Sequence, residues 1–308
     1  MKGKPGKTIR SGFGDIAAVP MINQELCTNC DLCFKVCKSF TIIPLHGKAT
    51  VVPENGLGCI GCGQCMAVCP QGAVAVTGRR LTPQDAVPLP PQAERATPEA
   101  LEGLLFARRS VREFGDQEVE KEEIERILGM AASAPMGIPP SDVGVVVVQG
   151  KGRVQEFAQD IMGVFGTWRR FFNPVVFPLM RLFMKKADVE MMRDFVLPIT
   201  KLMMDARKEG ADYLFYHAPC VLLFHASPYA DPVDGSIACT YAMLAAASLG
   251  LGTCIIGTVA YALERDQVLK EKWGIPPENK VAITMILGHP AFPYARGIRR
   301  SFASVSYR

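Results

Sequence analysis

Hydrophobic positions are spread unevenly along this chain. Before residue 97 they come in pieces too short to build a core; Thr41–Pro44 and Ala73–Val76 each have the length of a small strand. Residues 77–97 carry Pro83, Pro88, Pro90 and Pro91 without any apolar period, the pattern of an extended linker. Thr97-Pro98 then reads as an N-cap and first helical position, and Leu101, Leu104, Leu105 and Ala107 carry a helix to Arg108. A second helix is predicted near Glu120–Ala132, with Ile124, Ile127, Leu128 and Ala131 on one side. Three apolar runs, Val143–Val148, Cys220–Phe224 and Val281–Leu287, have the character of central strands buried on both faces. Ser236–Leu249 places Ile237, Tyr241, Leu244, Ala245 and Leu249 at helical spacing, with Asp234 or Ser236 as cap. Its alanines and glycines predict close packing against a neighbour.

The stretch from about 155 to 215 breaks this order. Asn173-Pro174 and Pro178 interrupt it, and Met180, Met184, Met191, Met192, Met203 and Met204 fall in or near helices. Three readings stand side by side: methionines filling an irregular core, a lid over an apolar ligand, and peripheral membrane contact. The last comes from Phe171, Phe172, Val175, Val176, Phe177, Leu179 and Phe183, flanked by Arg169, Arg170, Arg181, Lys185 and Lys186. No stretch approaches an uninterrupted transmembrane span.

Composition narrows the classes. A chain of 308 residues, 49% hydrophobic and 21% charged, holds one substantial core plus a small domain. The N-terminus is basic, but no apolar h-region follows it, so it does not read as a secretory signal. The formal charge is +4. His46, His217, His225 and His289 are scattered without metal-ligand spacing, and no nucleophile-elbow sequence is present.

The strongest chemistry lies in the cysteines. Eight of the eleven fall in two runs of identical spacing: Cys27, Cys30, Cys33 and Cys37, then Cys59, Cys62, Cys65 and Cys69. Zinc and disulfides also use cysteine, but zinc sites usually bring it in separated pairs. The doubled spacing resembles that of bacterial two-cluster ferredoxins. The resemblance implies a [4Fe-4S] cluster on Cys27, Cys30, Cys33 and Cys69, and a second on Cys59, Cys62, Cys65 and Cys37. Pro70 follows the last ligand, whereas Lys38 stands at the corresponding place of the first run and puts an ammonium near a cluster. Gly61 and Gly63 let backbone N–H groups approach the sulfurs. Cysteine-ligated clusters of about −2 each offset the +4, which weakens a nucleic-acid reading of the basic balance. Cys220, Cys239 and Cys254 read as buried small hydrophobes, and cluster chemistry suits a cytoplasmic, reducing compartment.

Four motifs appear in order in the second part: FARRSVREF, SAPMGIPPSDV, the Asp234–Ala238 helix start with LGLGTCIIGT, and LGHPAFPYARGIRR. Together they resemble the nitroreductase family of FMN-dependent enzymes, over roughly residues 98–308. The resemblance implies an α+β fold and an intertwined homodimer. It places Arg108, Arg109 and Ser110 at the phosphate and ribityl chain, and Arg112 near N1 and O2 of the flavin ring. An arginine fork matches phosphate, and a cation near N1 stabilises reduced flavin. Pro135, Met136, Gly137 and Ser141 would form a second contact region, although Ile138, Pro139 and Pro140 replace the family's usual polar residue. The backbone at Ile256 and Gly257 would face N5 and O4, and Arg300, Arg299 or Arg296 would close on the phosphate.

The expected layout is a basic arm at 1–20, a ferredoxin-like two-cluster domain at 21–76, a Pro-rich linker at 77–97, and a nitroreductase-like FMN domain at 98–308. The Met/Phe-rich insertion spans about 155–215. The expected cofactors are two [4Fe-4S] clusters and one FMN per chain. The expected activity passes electrons from a ferredoxin-like protein or NAD(P)H through the clusters to FMN. A nitroaromatic, quinone or other small conjugated acceptor takes them from there. An electron-transfer subunit without catalysis of its own, and a redox sensor, are the alternatives.

Overall fold

The computed structural model describes residues 18–138, 140–171, 176–177, 182–183 and 185–308. The basic arm up to residue 17 lies outside the described residues, as do Pro139, Phe172–Val175, Pro178–Arg181 and Met184, on which part of the lid and membrane readings rests. The chain divides into two compact units. One comprises the described residues through Ala96 with Pro135–Val143 and Ala226–Asp234; the other comprises Thr97–Ala134, Gly144–His225 and Gly235–Arg308.

The first unit is built from β1 (Val19–Ile22), α1 (Leu32–Val36), β2 (Ile42–Leu45), β3 (Lys48–Val51), α2 (Gln64–Ala67) and β4 (Val74–Thr77). β1 pairs antiparallel with β4, and β2 with β3. The two expected strands are present, and each has a partner the apolar pattern did not reveal, because four-residue edges such as Lys48–Val51 carry no readable alternation. The β2–β3 turn is His46-Gly47, both with positive φ (50° and 76°), the geometry of a two-residue hairpin loop. α1 and α2 each contain the third cysteine of a run, Cys33 and Cys65. Ile42, Ala49, Met66, Val74 and Val76 form a small core with these two cysteines. Residues Thr82–Thr97 are exposed throughout, with short helical turns at Pro83–Asp85 and Gln92–Glu94.

The second unit opens with α3 (Pro98–Ala107), whose Thr97 hydroxyl accepts from the Ala100 N–H, and α4 (Lys121–Ala131). After β5 (Val143–Gln149) come α5 (Lys151–Phe171), α6 (Lys186–Met191), a π-turn at Met192–Val196 and α7 (Leu197–Lys208). Pro198 lacks the N–H that would close the preceding helical turn, which accounts for the wider turn there. β6 (Cys220–Ala226), α8 (Pro232–Ser248), β7 (Gly252–Ile255), α9 (Thr258–Leu263), α10 (Gln267–Lys272) and β8 (Lys280–Gly288) complete it. The sheet order is β5-β6-β8-β7.

β6 is buried along its whole length, as expected of a central strand, and β8 is buried over its second half. β5 is a correction: it is the outer strand of this sheet and is mostly half-buried, since an apolar run alone does not distinguish an edge from a centre. α8 starts four residues earlier than its periodicity suggests. Its first turn is capped by Asp231, which accepts from the Val233 N–H, and not by Asp234 or Ser236. The core gathers Phe157, Ile161, Phe215, Val221, Leu223, Leu263 and Ile286, with Phe157 stacked on Phe215 at 5.4 Å and edge-on to Trp273 at 4.7 Å. Met203 and Met204 pack against this core, while Phe171, Phe183, Met191 and Phe195 are exposed. Among the described residues no helix is long and apolar enough to cross a membrane.

Candidate functional site

The eight cysteines are sorted by the fold into two foursomes that cross between the runs. Cys27, Cys30, Cys33 and Cys69 line one cavity; Cys37, Cys59, Cys62 and Cys65 line another. Each foursome spreads around space instead of converging on a point. Among the described residues no three His, Cys, Asp or Glu side chains are placed to hold a single metal ion. Thiols standing apart around a void suit a cubane, which takes each on a separate corner, better than one zinc ion.

The local geometry repeats as well. Asn29, Asp31 and Phe40 in the first run, and Gly61, Gly63 and Gly72 in the second, all have positive φ. These kinks expose Cys30 and Cys62 and turn Cys33 and Cys65 inward. The sulfurs also receive donors: Ile42 N–H reaches Cys37 Sγ at 3.5 Å, and Ala73 N–H reaches Cys69 Sγ at 3.2 Å.

Burial raises the Cys33 thiol above its ordinary value against the Phe34 backbone, and Cys27 and Cys69 add to the rise. Cys65 is pushed up to about 12 by burial first, then by Cys59, Cys62 and Cys37. Such thiols do not ionise unaided, so metal must displace their protons on binding. Cys220 and Cys239, also pushed up to about 12 by burial, and the buried Cys254 are the inert thiols expected of them.

Lys38 is exposed at the rim of the Cys37, Cys59, Cys62 and Cys65 cavity, which it helps to line, and its Nζ donates to the Lys35 carbonyl at 2.8 Å. A different cation is buried. Arg79 is 8% exposed, and its Nε has no hydrogen-bond partner among the described residues. The sequence signal for it is faint, two arginines after Gly78 at the end of a short strand.

In the second unit the FARRSVREF segment leaves α3 and runs along the sheet. Ser110 bridges to Thr253, and Val111 N–H donates to the Thr253 carbonyl. Gly252 permits this approach, because a Cβ there would stand 2.8 Å from Val111. Arg109 Nη2 donates to the carbonyls of Arg296 at 2.9 Å and Phe106 at 3.4 Å. That bond brings together the segments bearing Arg108–Arg112 and Arg296–Arg300. Among the described residues Arg108 meets the weak acceptor Met243 Sδ, at 3.7 Å, and Arg112 lies 5.9 Å from the Tyr216 ring centre. Arg299 and Arg300 are exposed.

Gly137 N–H donates to Asp234 Oδ2 at 2.9 Å, and Ser141 has a φ of 66°. Pro135 is exposed and Met136 half-buried. Ile256 needs a correction: its N–H is already bound to the Thr284 carbonyl, which leaves the exposed Gly257 as the donor of that pair. β7, which leads into this corner, reads in sequence as a glycine-rich loop because it is only four residues long.

Residues 105–289, more than half of the chain, match the Nitroreductase family. The chain belongs to the nitroreductase family. Ahead of that part, residues 26–74 match the 4Fe-4S dicluster domain. Among its relatives, the FMN reductase [NAD(P)H] of Bacillus subtilis (strain 168) is 28% identical over 212 residues, which cover 66% of this chain and 71% of that protein. A nitroreductase with bound FMN from Desulfitobacterium hafniense DCB-2 superposes with a TM-score of 0.50 at 21% identity, over 69% of this chain and 100% of its own. A nitroreductase with bound FMN from Bacteroides fragilis NCTC 9343 gives 0.49 at 21% identity, with the same coverage. The expected α+β fold, a nitroreductase domain preceded by a small ferredoxin-like one, is the one observed.

Proposed function

We propose that this nitroreductase is an FMN-dependent oxidoreductase served by two [4Fe-4S] clusters. It would take electrons from a low-potential donor and deliver them to a nitroaromatic, quinone or other conjugated acceptor. The observation that carries the reading is the crossing of the two cysteine foursomes within a chain of this family. Bound clusters would pass electrons singly, and bound FMN would store two and release them as a pair.

The chain's own residues would do the holding. Cys27, Cys30, Cys33 and Cys69 bind one cluster, and Cys37, Cys59, Cys62 and Cys65 the other. Arg108, whose guanidinium meets only the Met243 thioether among the described residues, is the phosphate fork. Arg109 clamps the C-terminal segment so that Arg299 and Arg300 reach the same end. Arg112 supplies positive charge at the N1 side of the ring, and Gly257 an N–H at the opposite edge. The assembly is a homodimer. Because each run lends a ligand to the other's site, the two clusters share one compact unit and exchange electrons over a short distance. The exposed Cys30 and Cys62 loops favour a protein donor of ferredoxin type over NAD(P)H.

Anaerobic rapid mixing tests the relay. Material with about eight irons and one FMN per chain should show flavin reduction by reduced ferredoxin that slows at least about tenfold in Cys65→Ser. Equal rates in the two proteins would overturn the relay. A protein that reduces a partner rapidly while turning over no small acceptor would favour the electron-transfer alternative.

A further inference from the structure

We propose that Arg79 sets the reduction potential of the cluster site formed by Cys37, Cys59, Cys62 and Cys65, raising it above that of the other foursome. The proposal rests on the two-cluster reading above. Long cationic side chains normally carry their charged ends to water, and a buried N–H without an acceptor is costly. Arg79 is held inside nonetheless. It follows Gly78 and precedes Arg80, and all three have positive φ (96°, 51° and 61°). Two consecutive arginines in the left-handed region are uncommon, and the tight Gly78–Leu81 bridge holds them there.

The side chain lies against the second cysteine run. A Cβ added to Gly61, between Cys59 and Cys62, would stand 3.1 Å from Arg79 Cδ and 3.3 Å from its Cβ. The stem that carries the guanidinium therefore packs on the backbone between Cys59 and Cys62, two members of that foursome.

The buried, unpaired Nε has no acceptor among the described residues; the negative charge of a thiolate-ligated cluster would supply the missing counter-charge. Each cluster accepts one electron and becomes one unit more negative. A fixed cation in a poorly polarisable interior stabilises that product more than the oxidised form. The field falls with distance, so the adjacent site gains most. Lys38 also lines this cavity, but it is exposed and its ammonium is bound to a carbonyl, so water screens it more than the buried Arg79.

The consequence is a direction. One electron entering at the Cys27/Cys30/Cys33/Cys69 site runs downhill to the Cys37/Cys59/Cys62/Cys65 site.

An EPR-monitored redox titration of the anaerobic full-length holoprotein tests the proposal. In Arg79→Met, an apolar chain of similar reach, one of the two reduction steps should move to lower potential and the other should stay. The expected size is about a tenfold change in the reduced-to-oxidised ratio at fixed potential, or about 59 mV for one electron. Arg79→Gln should behave alike if the methionine variant does not assemble. Arg79→Lys should keep most of the wild-type value, and Lys38→Gln should change neither step appreciably. Unchanged potentials in Arg79→Met or Arg79→Gln with about eight irons retained, or an equal shift in both steps, would overturn the role of Arg79. A wild-type protein without iron would instead overturn the two-cluster reading itself.

Discussion

The two cysteine runs, displaced by 32 residues, are a natural experiment in one molecule. Cys27 and Cys59 are half-buried, Cys30 and Cys62 exposed, Cys33 and Cys65 buried, Cys37 and Cys69 half-buried. The backbone kinks match too, but the residues that make them differ. Where the first run uses Asn29, Asp31 and Phe40, the second uses Gly61, Gly63 and Gly72. Asn and Asp tolerate the left-handed region when their side chains can face solvent. Gly61 has no such freedom, since Arg79 and Ala18 occupy the space a Cβ would take. One backbone geometry therefore serves two environments, and the glycine marks the run that has a cation packed on it.

Ligand replacement gives the largest effect on this comparison. Cys37→Ser and Cys59→Ser should remove the same cluster, and Cys69→Ser the other, each leaving about four irons of eight by iron analysis and one reduction step by EPR. Loss of one cluster by Cys37→Ser and Cys33→Ser together would show that the runs do not cross. Next in size is the kink. Gly61→Ala should destabilise the holoprotein by about 1–3 kcal/mol in urea titration, through its φ of 72° and the clash with Arg79. Asn29→Ala, at the equivalent but open position, should cost about 1 kcal/mol or less. Equal costs would mean that packing on Gly61 contributes nothing. The smallest effect belongs to the unmatched pair Lys38 and Pro70. Lys38→Gln should stay within about 0.5 kcal/mol in the same titration, because its ammonium is solvated; a larger loss would show that the first run also carries a structural cation.

Much of the candidate site was legible in the residues themselves. The spacing of the cysteines named all eight thiols that line the two cavities, because three thiols within seven residues can only face one object. The apolar run at Cys220–Phe224 and the Thr97-Pro98 cap also appear where they read. Less legible was anything that depends on a neighbour distant in sequence. Lys38 sits beside a cysteine in the sequence, yet its exposed ammonium is bound to the Lys35 carbonyl. Arg79 is harder to read, because its burial follows from the β1–β4 pairing and from the missing side chain at Gly61. The Ile256 N–H looked available until Thr284, on the adjacent strand, was seen to accept it.

What the amino-acid order determined by itself was local chemistry: which thiols could ligate, which segments could span a core, and where a helix could start. Those properties follow from spacing along a chain of fixed geometry. Tertiary structure alone decided which backbone donors are already spent and which cation is packed away from water. Each of those is a statement about dielectric and distance between segments far apart in sequence, and neither quantity exists until the chain has packed.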